Sequence, residues 1–288
     1  MNSDKNRVTP KVWLITGCST GFGRALAEAV LKKGDYLLAT ARKPEQLRAL
    51  VEHYPETAKA VRLDVTLSQD IKAAVDTAIA TFGRIDVLVN NAGHGLIAAL
   101  EEVSDVEIHQ FFETNFFGAL RLMRSVLPVM RQQGSGHIMN LSSTAGFVGF
   151  GGSSLYCGAK FALEGTSEAL AKEVESFGIK VTLIEPGAFR TDFNGRSLAA
   201  AKQPIDAYAT VSGASLHWFK EMDGQQLGNP VKAAQAIIQS VDSPHPPLRL
   251  ALGTDAMSLI QEKLEWLKTD LEAWQHVTVS TDYPDRNK

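Results

Sequence analysis

Short apolar runs alternate with amphipathic stretches along most of this chain, and that alternation constrains the fold more than any single motif does. The run at 11–16 (KVWLIT) ends in a glycine-rich turn, after which 22–33 carries helical periodicity. A second run at 35–41 stops before Pro44, which opens the next helix in its favoured first-turn position. The pattern repeats at 60–64, with a helix over 68–82, and again at 85–90. The last of these, IDVLVN, is apolar almost without interruption, as a parallel strand covered on both faces requires. Further strands are read at 136–141, 180–185 and 249–252, and further helices over 104–131, 153–177 and 230–241. Right-handed crossovers of this kind build an open parallel sheet. The expected fold is therefore α/β, a doubly wound parallel sheet of about seven strands with helices on both faces and ligands at the strands' carboxyl ends. No repeat or linker divides the 288 residues, so one domain over 1–288 is expected.

The chemistry-bearing residues gather at those carboxyl ends. In the turn TGCSTGFG, Gly17, Ser19, Thr20, Gly21, Phe22 and Gly23 can bring backbone N–H groups and a helix N-terminus up to a pyrophosphate. At the end of the second strand stand Arg42 and Lys43, with no acid beside them. A doubly wound sheet reads the adenosine ribose there, and two cations suit the extra phosphate of NADP where a carboxylate would suit NAD. Asn91, Ala92 and Gly93 close the fourth strand with small residues and an amide that can shape a cofactor groove. Ser104 and Glu107 form a capping box opening a long helix, in which Asn115 lies among phenylalanines and needs partners if buried. The fifth strand delivers Ser142 and Ser143 to the same edge. Tyr156 and Lys160 follow, four residues apart and so stacked on one helix face, where a cation favours phenolate and moves proton exchange toward neutrality.

Taken together, TGCSTGFG, NNAG, Asn115, Ser143, YCGAK and the Pro186-Gly187 pair resemble a short-chain dehydrogenase/reductase in order and spacing, over about 11–191. The chain is similar in particular to the retinol-dehydrogenase-like and 17β-hydroxysteroid-dehydrogenase-like group. The resemblance implies a Rossmann fold and an oxidoreductase transferring a hydride between a nicotinamide and a carbonyl or secondary alcohol. It implies Tyr156, Lys160, Ser143 and Asn115 as the catalytic set, with Tyr156 as general acid/base. Lys160 would lower the Tyr156 pKa and bind the nicotinamide ribose, and Asn115 would hold a water leading to that lysine. The thirteen-residue step from Ser143 to Tyr156 marks Ser143, rather than Ser142, as the active hydroxyl. By the same resemblance Asp64 and Val65 lie near the adenine, Asn91 near the adenosine side of the groove and Thr191 near the carboxamide, with Pro186 and Gly187 also among the cofactor-binding residues. NADP(H) is expected in preference to NAD(H). The glycine pattern argues against a sugar-nucleotide epimerase, and the Tyr-Lys spacing against an enoyl reductase. The intact Ser143, Tyr156 and Lys160 argue against a sensor module that has lost its chemistry.

Beyond 191 the segment at about 190–228, with Phe193, Tyr208, His217, Trp218 and Phe219 and no clear strand, corresponds to the family's substrate lid. Those aromatics, with Phe147 and Phe150 in the loop before Tyr156, suggest an apolar or ring-containing carbonyl substrate. Over about 254–274, Met257, Ile260, Leu264, Leu267, Leu271 and Trp274 form an apolar stripe, read as packing on the chain's own domain or lid, and the residues from Val277 read as a loose tail. A net charge of −3 with interspersed signs offers no footprint for nucleic acid or an anionic membrane. The polar opening residues, the lack of a long apolar run, and two cysteines without metal-ligand spacing point to a cytoplasmic protein without metal. The family's habits suggest a homodimer or homotetramer.

Overall fold

The computed structural model describes residues 9–283. Strand β1 (Val12–Ile15) leads through the glycine turn into α1 (Gly21–Lys33) and back through β2 (Tyr36–Ala41). Next come α2 (Arg48–His53), β3 (Ala58–Arg62), α3 (Ser68–Phe82), β4 (Val87–Asn90) and a short β5 (Gly95–Ile97). Helices α4 (Asp105–Phe112) and α5 (Gly118–Gln133) precede β6 (Gly136–Leu141), α6 (Ser154–Val174) and β7 (Ile179–Pro186). The chain finishes with β8 (Leu198–Ala200), α7 (Ala214–Glu221), α8 (Pro230–Asp242), β9 (Arg249–Leu252) and α9 (Thr254–Ser280).

Seven strands form one parallel sheet in the order β3-β2-β1-β4-β6-β7-β9. Alternate residues of each strand serve opposite faces. Trp13 and Ile15 join Leu26, Val30 and Ile237 of α1 and α8 in one core, whereas Leu14 between them joins Ile71, Leu122 and Val126 of α3 and α5 in the other. Each such large side chain, fully buried, contributes about 1.5–3 kcal/mol. The strand order turns back between β1 and β4, and the crevice opens there, with Ile15 paired to Val89 beneath it.

The expected helix over 104–131 forms, begun by the Ser104–Glu107 capping box, but a π-turn at Glu113–Phe117 joins its halves. The third strand begins earlier than read, at Ala58, and ends at Arg62. The lid does contain a strand. β8 pairs in parallel with β5, two three-residue strands too short and too remote in sequence to show as apolar runs. The C-terminal stripe corrects the reading more sharply. Only the first turns of α9 touch the domain, through Ala256, Leu259 and Ile260, and every residue from Leu264 to Ser280 is exposed. The helix also runs through Val277 to Ser280, where a tail was expected. Among the described residues no helix is long and apolar enough to cross a membrane, and no three His, Cys, Asp or Glu side chains are grouped to hold a metal. Cys18 and Cys157 are both free and buried.

Candidate active site at the carboxyl edge of the sheet

The phosphate-side wall begins with Thr16, a residue the motif reading passed over. Its hydroxyl accepts the N–H groups of Asn91 (2.8 Å) and Ala92 (2.9 Å) and donates to the Val89 carbonyl (3.2 Å), which ties the end of β1 to the end of β4. Asn91 returns the tie, its Nδ2 donating to the carbonyls of Thr16 (2.7 Å) and Gly17 (3.1 Å). Two glycines are obligatory in this arrangement. Gly17 has φ +70°, which costs a side chain strain, and a Cβ on Gly23 would collide with the Asn91 amide and the Gly17 carbonyl. Helix α1 thus begins hard against the strand ends. No side chain caps its first turn and no acid occupies it, so its N–H groups and positive dipole end remain for an anion. The residues present fit a dinucleotide's pyrophosphate.

Across the crevice β6 ends in Ser142, buried, and Ser143, whose Oγ accepts the Ala145 N–H (3.1 Å). Below them, Asn90 donates to Asn140 (2.7 Å), Asn140 to Ser167 (2.8 Å) and Ser167 to the Leu163 carbonyl (2.6 Å), a buried chain that fixes α6 against β4 and β6. On the first two turns of α6 stand Tyr156 and Lys160. Tyr156 and Ser143 both line the crevice, and the Lys160 Nζ lies 5.7 Å from the Tyr156 ring centre while donating to the Leu141 carbonyl at 2.7 Å. Burial pushes Tyr156 up to about 12 against the opposing pull of the Ser143 hydroxyl. Burial likewise pushes Lys160 down to about 8, opposed by Glu164. The expected depression of the phenol is thus reversed: desolvation of Tyr156 outweighs its polar neighbours.

Asn115 sits in the π-turn with both ends of its amide engaged. Its Oδ1 accepts the His94 N–H and its Nδ2 donates to the Phe111 carbonyl, each at 3.0 Å. The side chain therefore tethers the loop after β4 to the helix. His94, also passed over, stacks edge-on to Phe111 at 5.1 Å, and burial holds it below the ordinary histidine range.

A cavity of about 1070 Å³ opens between these walls. Of the residues picked from sequence, Thr20, Gly21, Phe22, Asn91, Gly93, Asn115, Ser143, Tyr156, Lys160, Pro186, Gly187 and Thr191 line it. Gly17, Ser19, Gly23, Ala92, Arg42, Lys43, Asp64 and Val65 stand outside its wall. Arg42 and Lys43 are exposed at the end of β2, and Val65 packs on Gly118 of α5. The Asp64 carboxyl is raised by burial, but hydrogen bonds from Thr66 and the charges of Arg42 and Arg62 outweigh that and hold it low. The far wall is apolar: Phe150, Phe193, Trp218 and Phe219 face the cavity, with Phe193 5.6 Å from the Tyr156 ring. Three other aromatics do not line it. Tyr208 donates to Glu101 (2.8 Å), His217 lies 3.1 Å from Glu221, and Phe147 stands in the turn behind. Asp255 at the start of α9 accepts the Ala188 N–H (2.7 Å) and joins the lining with Leu259.

Beneath Ser142 lies a charge cluster with no sequence signature. Arg249 stands 3.2 Å from both Glu164 and Glu185 and 2.9 Å from Glu168. Burial and the neighbouring Glu164 push Glu185 up to about 7 despite that arginine.

The family model for short chain dehydrogenase matches residues 11–202. Oxidoreductase BOA17 of Botryotinia fuckeliana is 41% identical over 272 residues, 94% of this chain and 99% of that protein. Human retinol dehydrogenase 8 is 36% identical over 255 residues, covering 83% of this chain and 80% of that one. Among solved structures, a short-chain dehydrogenase from Streptomyces avermitilis superposes with TM-score 0.88 at 44% identity, covering 96% of this chain and all of that one. The protein ElxO with NADP bound superposes with TM-score 0.71 at 28% identity, over 87% of this chain and all of that one. Fold and relatives agree, and the chain belongs to the short-chain dehydrogenase/reductase family of NAD(P)-dependent oxidoreductases.

Proposed function

We propose that this chain interconverts a bulky apolar ketone or aldehyde and its alcohol, with NADP(H) as the preferred cofactor and Tyr156 as general acid/base. The observation that carries the reading is the convergence of Ser143, Tyr156 and Lys160 on one cavity that also has the uncapped N-terminus of α1 on its wall. When bound, the nicotinamide supplies or accepts the hydride.

The chain's own residues handle the oxygen and its proton. In reduction the Tyr156 O–H bond breaks as the alcohol O–H bond forms, leaving a phenolate on Tyr156. Ser143 donates to the same oxygen as negative charge develops on it, and Lys160 stabilises the phenolate. A phenol held up at about 12 is protonated at neutral pH, the form that donates in reduction. Oxidation runs these steps backwards from the phenolate. Asn115 acts as a positioning residue that holds the His94 loop at the cavity wall. The apolar wall of Phe150, Phe193, Trp218 and Phe219 supports a substrate whose carbonyl is polar and whose body is ring-containing or otherwise bulky. The name of the human relative, a retinol dehydrogenase, fits that substrate class. Arg42 and Lys43, without an acid at the end of β2, support NADP.

The test is Tyr156→Phe, assayed by NADPH consumption over a panel of steroid, retinoid and aromatic carbonyl compounds. NADPH affinity is expected to stay within about twofold and turnover to fall by about 10³-fold, the loss of one proton donor. Turnover near the parent's would overturn the assignment.

A further inference from the structure

The free half of α9 carries an apolar stripe with a built-in partner preference. Leu264 to Ser280 spans 17 residues, about 25 Å of helix, with every residue exposed. Leu264, Leu267, Leu271 and Trp274 are 39–69% exposed. Isolated helices of this length are marginal in water, and their stability comes from burying an apolar face. With Met257 and Ile260 the stripe alternates three and four residues over six positions, the spacing of a two-helix seam.

The geometry points to a second copy of this chain as the occupant, its α9 lying antiparallel. Pairing about a two-fold axis between residues 265 and 266 sets Leu264 against Leu267 of the second copy and Met257 against its Trp274, each contact made twice, while Ile260, half-buried on its own domain, has only its remaining surface to offer Leu271 of the second copy. The flanking charges distinguish this arrangement from the others. Along one flank run Lys263 and Asp270, and along the other Gln261, Lys268 and Gln275. In the antiparallel pair Lys263 meets Asp270 of the second copy, twice, and Lys268 meets a neutral glutamine. In a parallel pair Lys263 would face Lys268 of the other chain, twice, placing like charges together. Lys263 lies over the Trp266 ring at 3.7 Å, on the flank this pairing uses. An anionic bilayer is disfavoured by charge, since α9 holds five acids (Asp255, Glu262, Glu265, Asp270, Glu272) against Lys263 and Lys268.

The experiment is sedimentation equilibrium on the full chain, with each variant's NADPH binding as the check that the domain is folded. The parent is expected to dimerise at micromolar concentration and Leu267→Glu to lose the dimer. Lys263→Asp is expected to raise the dimer dissociation constant about fivefold, two weak charge pairs having become repulsive. The double variant Lys263→Asp/Asp270→Lys is expected to return it to within about twofold of the parent. A monomeric parent at tens of micromolar overturns the proposal. So does a dimer indifferent to both Leu267→Glu and Lys263→Asp, whose interface would lie elsewhere. A dimer tightened by Lys263→Asp would mean parallel helices. Cosedimentation of the parent with phosphatidylcholine or phosphatidylserine vesicles that Leu267→Glu abolishes would mean a lipid occupant, and also overturns it.

Discussion

Tyr156 and Lys160 are displaced by burial in opposite directions, the phenol up and the ammonium down, so both favour their neutral forms. The sign of the pH dependence follows. Lys160 carries its charge below about 8 and loses it above. The kcat/KM for NADPH should therefore fall as pH rises through about 8, because that parameter reports the free protein. Lys160→Met should remove this alkaline limb and lower kcat/KM by about 100-fold. A limb that survives in the variant would assign it to another group. At the other end of the groove, Arg42→Asp should shift the ratio of catalytic efficiencies from NADPH toward NADH by about tenfold or more, the worth of one charge-assisted phosphate contact. An unchanged ratio would make Arg42 a bystander. The residues legible in the sequence were those with close neighbours along the chain: Tyr156 with Lys160, Ser143 at a strand end, and the glycines of one turn. Thr16, His94, Asp255 and Glu185 were not legible, because each is defined by partners that only folding brings near, such as Thr16 with Asn91 or Asp255 with Ala188.

At the scale of elements, the sequence pattern placed α3, β6 and β9 at their observed bounds, because α3 and β6 each bury an apolar face and β9 follows the proline-rich break at 244–247. It failed where a backbone feature leaves the pattern unmarked. The π-turn at Glu113–Phe117 inserts a residue's worth of rotation into a helix that is apolar on both sides of it, and β5 with β8 offers only three residues a strand. The stripe of α9 misled for a different reason. An amphipathic pattern shows that a face seeks cover without saying whose. The approach of α1 to the strand ends can be tested directly. Gly23→Ala places a methyl group against Asn91 and the Gly17 carbonyl, so it should destabilise the fold by about 2 kcal/mol, the scale of overpacking in a tight site. It should also weaken NADPH binding by at least tenfold as α1 is pushed from the crevice. Thermal denaturation and NADPH titration together would check this, and an unchanged melting temperature with intact binding would show that the helix end can yield.

Across the whole molecule, the parallel sheet gathers strand ends from distant parts of the chain onto one edge, and α9 carries that edge's last wall outward. Its first turns give Asp255 and Leu259 to the cavity while the rest of the rod stands clear of the domain. If the dissociation constant measured for the α9 pair matches the protein concentration at which specific activity changes, the substrate wall and the pairing surface act as one element. The stripe also sets a stoichiometry. Halves that match by a two-fold rotation satisfy each other completely, so the pair exposes no copy of the seam to a third chain, and growth through this surface stops at an even count of two rather than continuing into a filament.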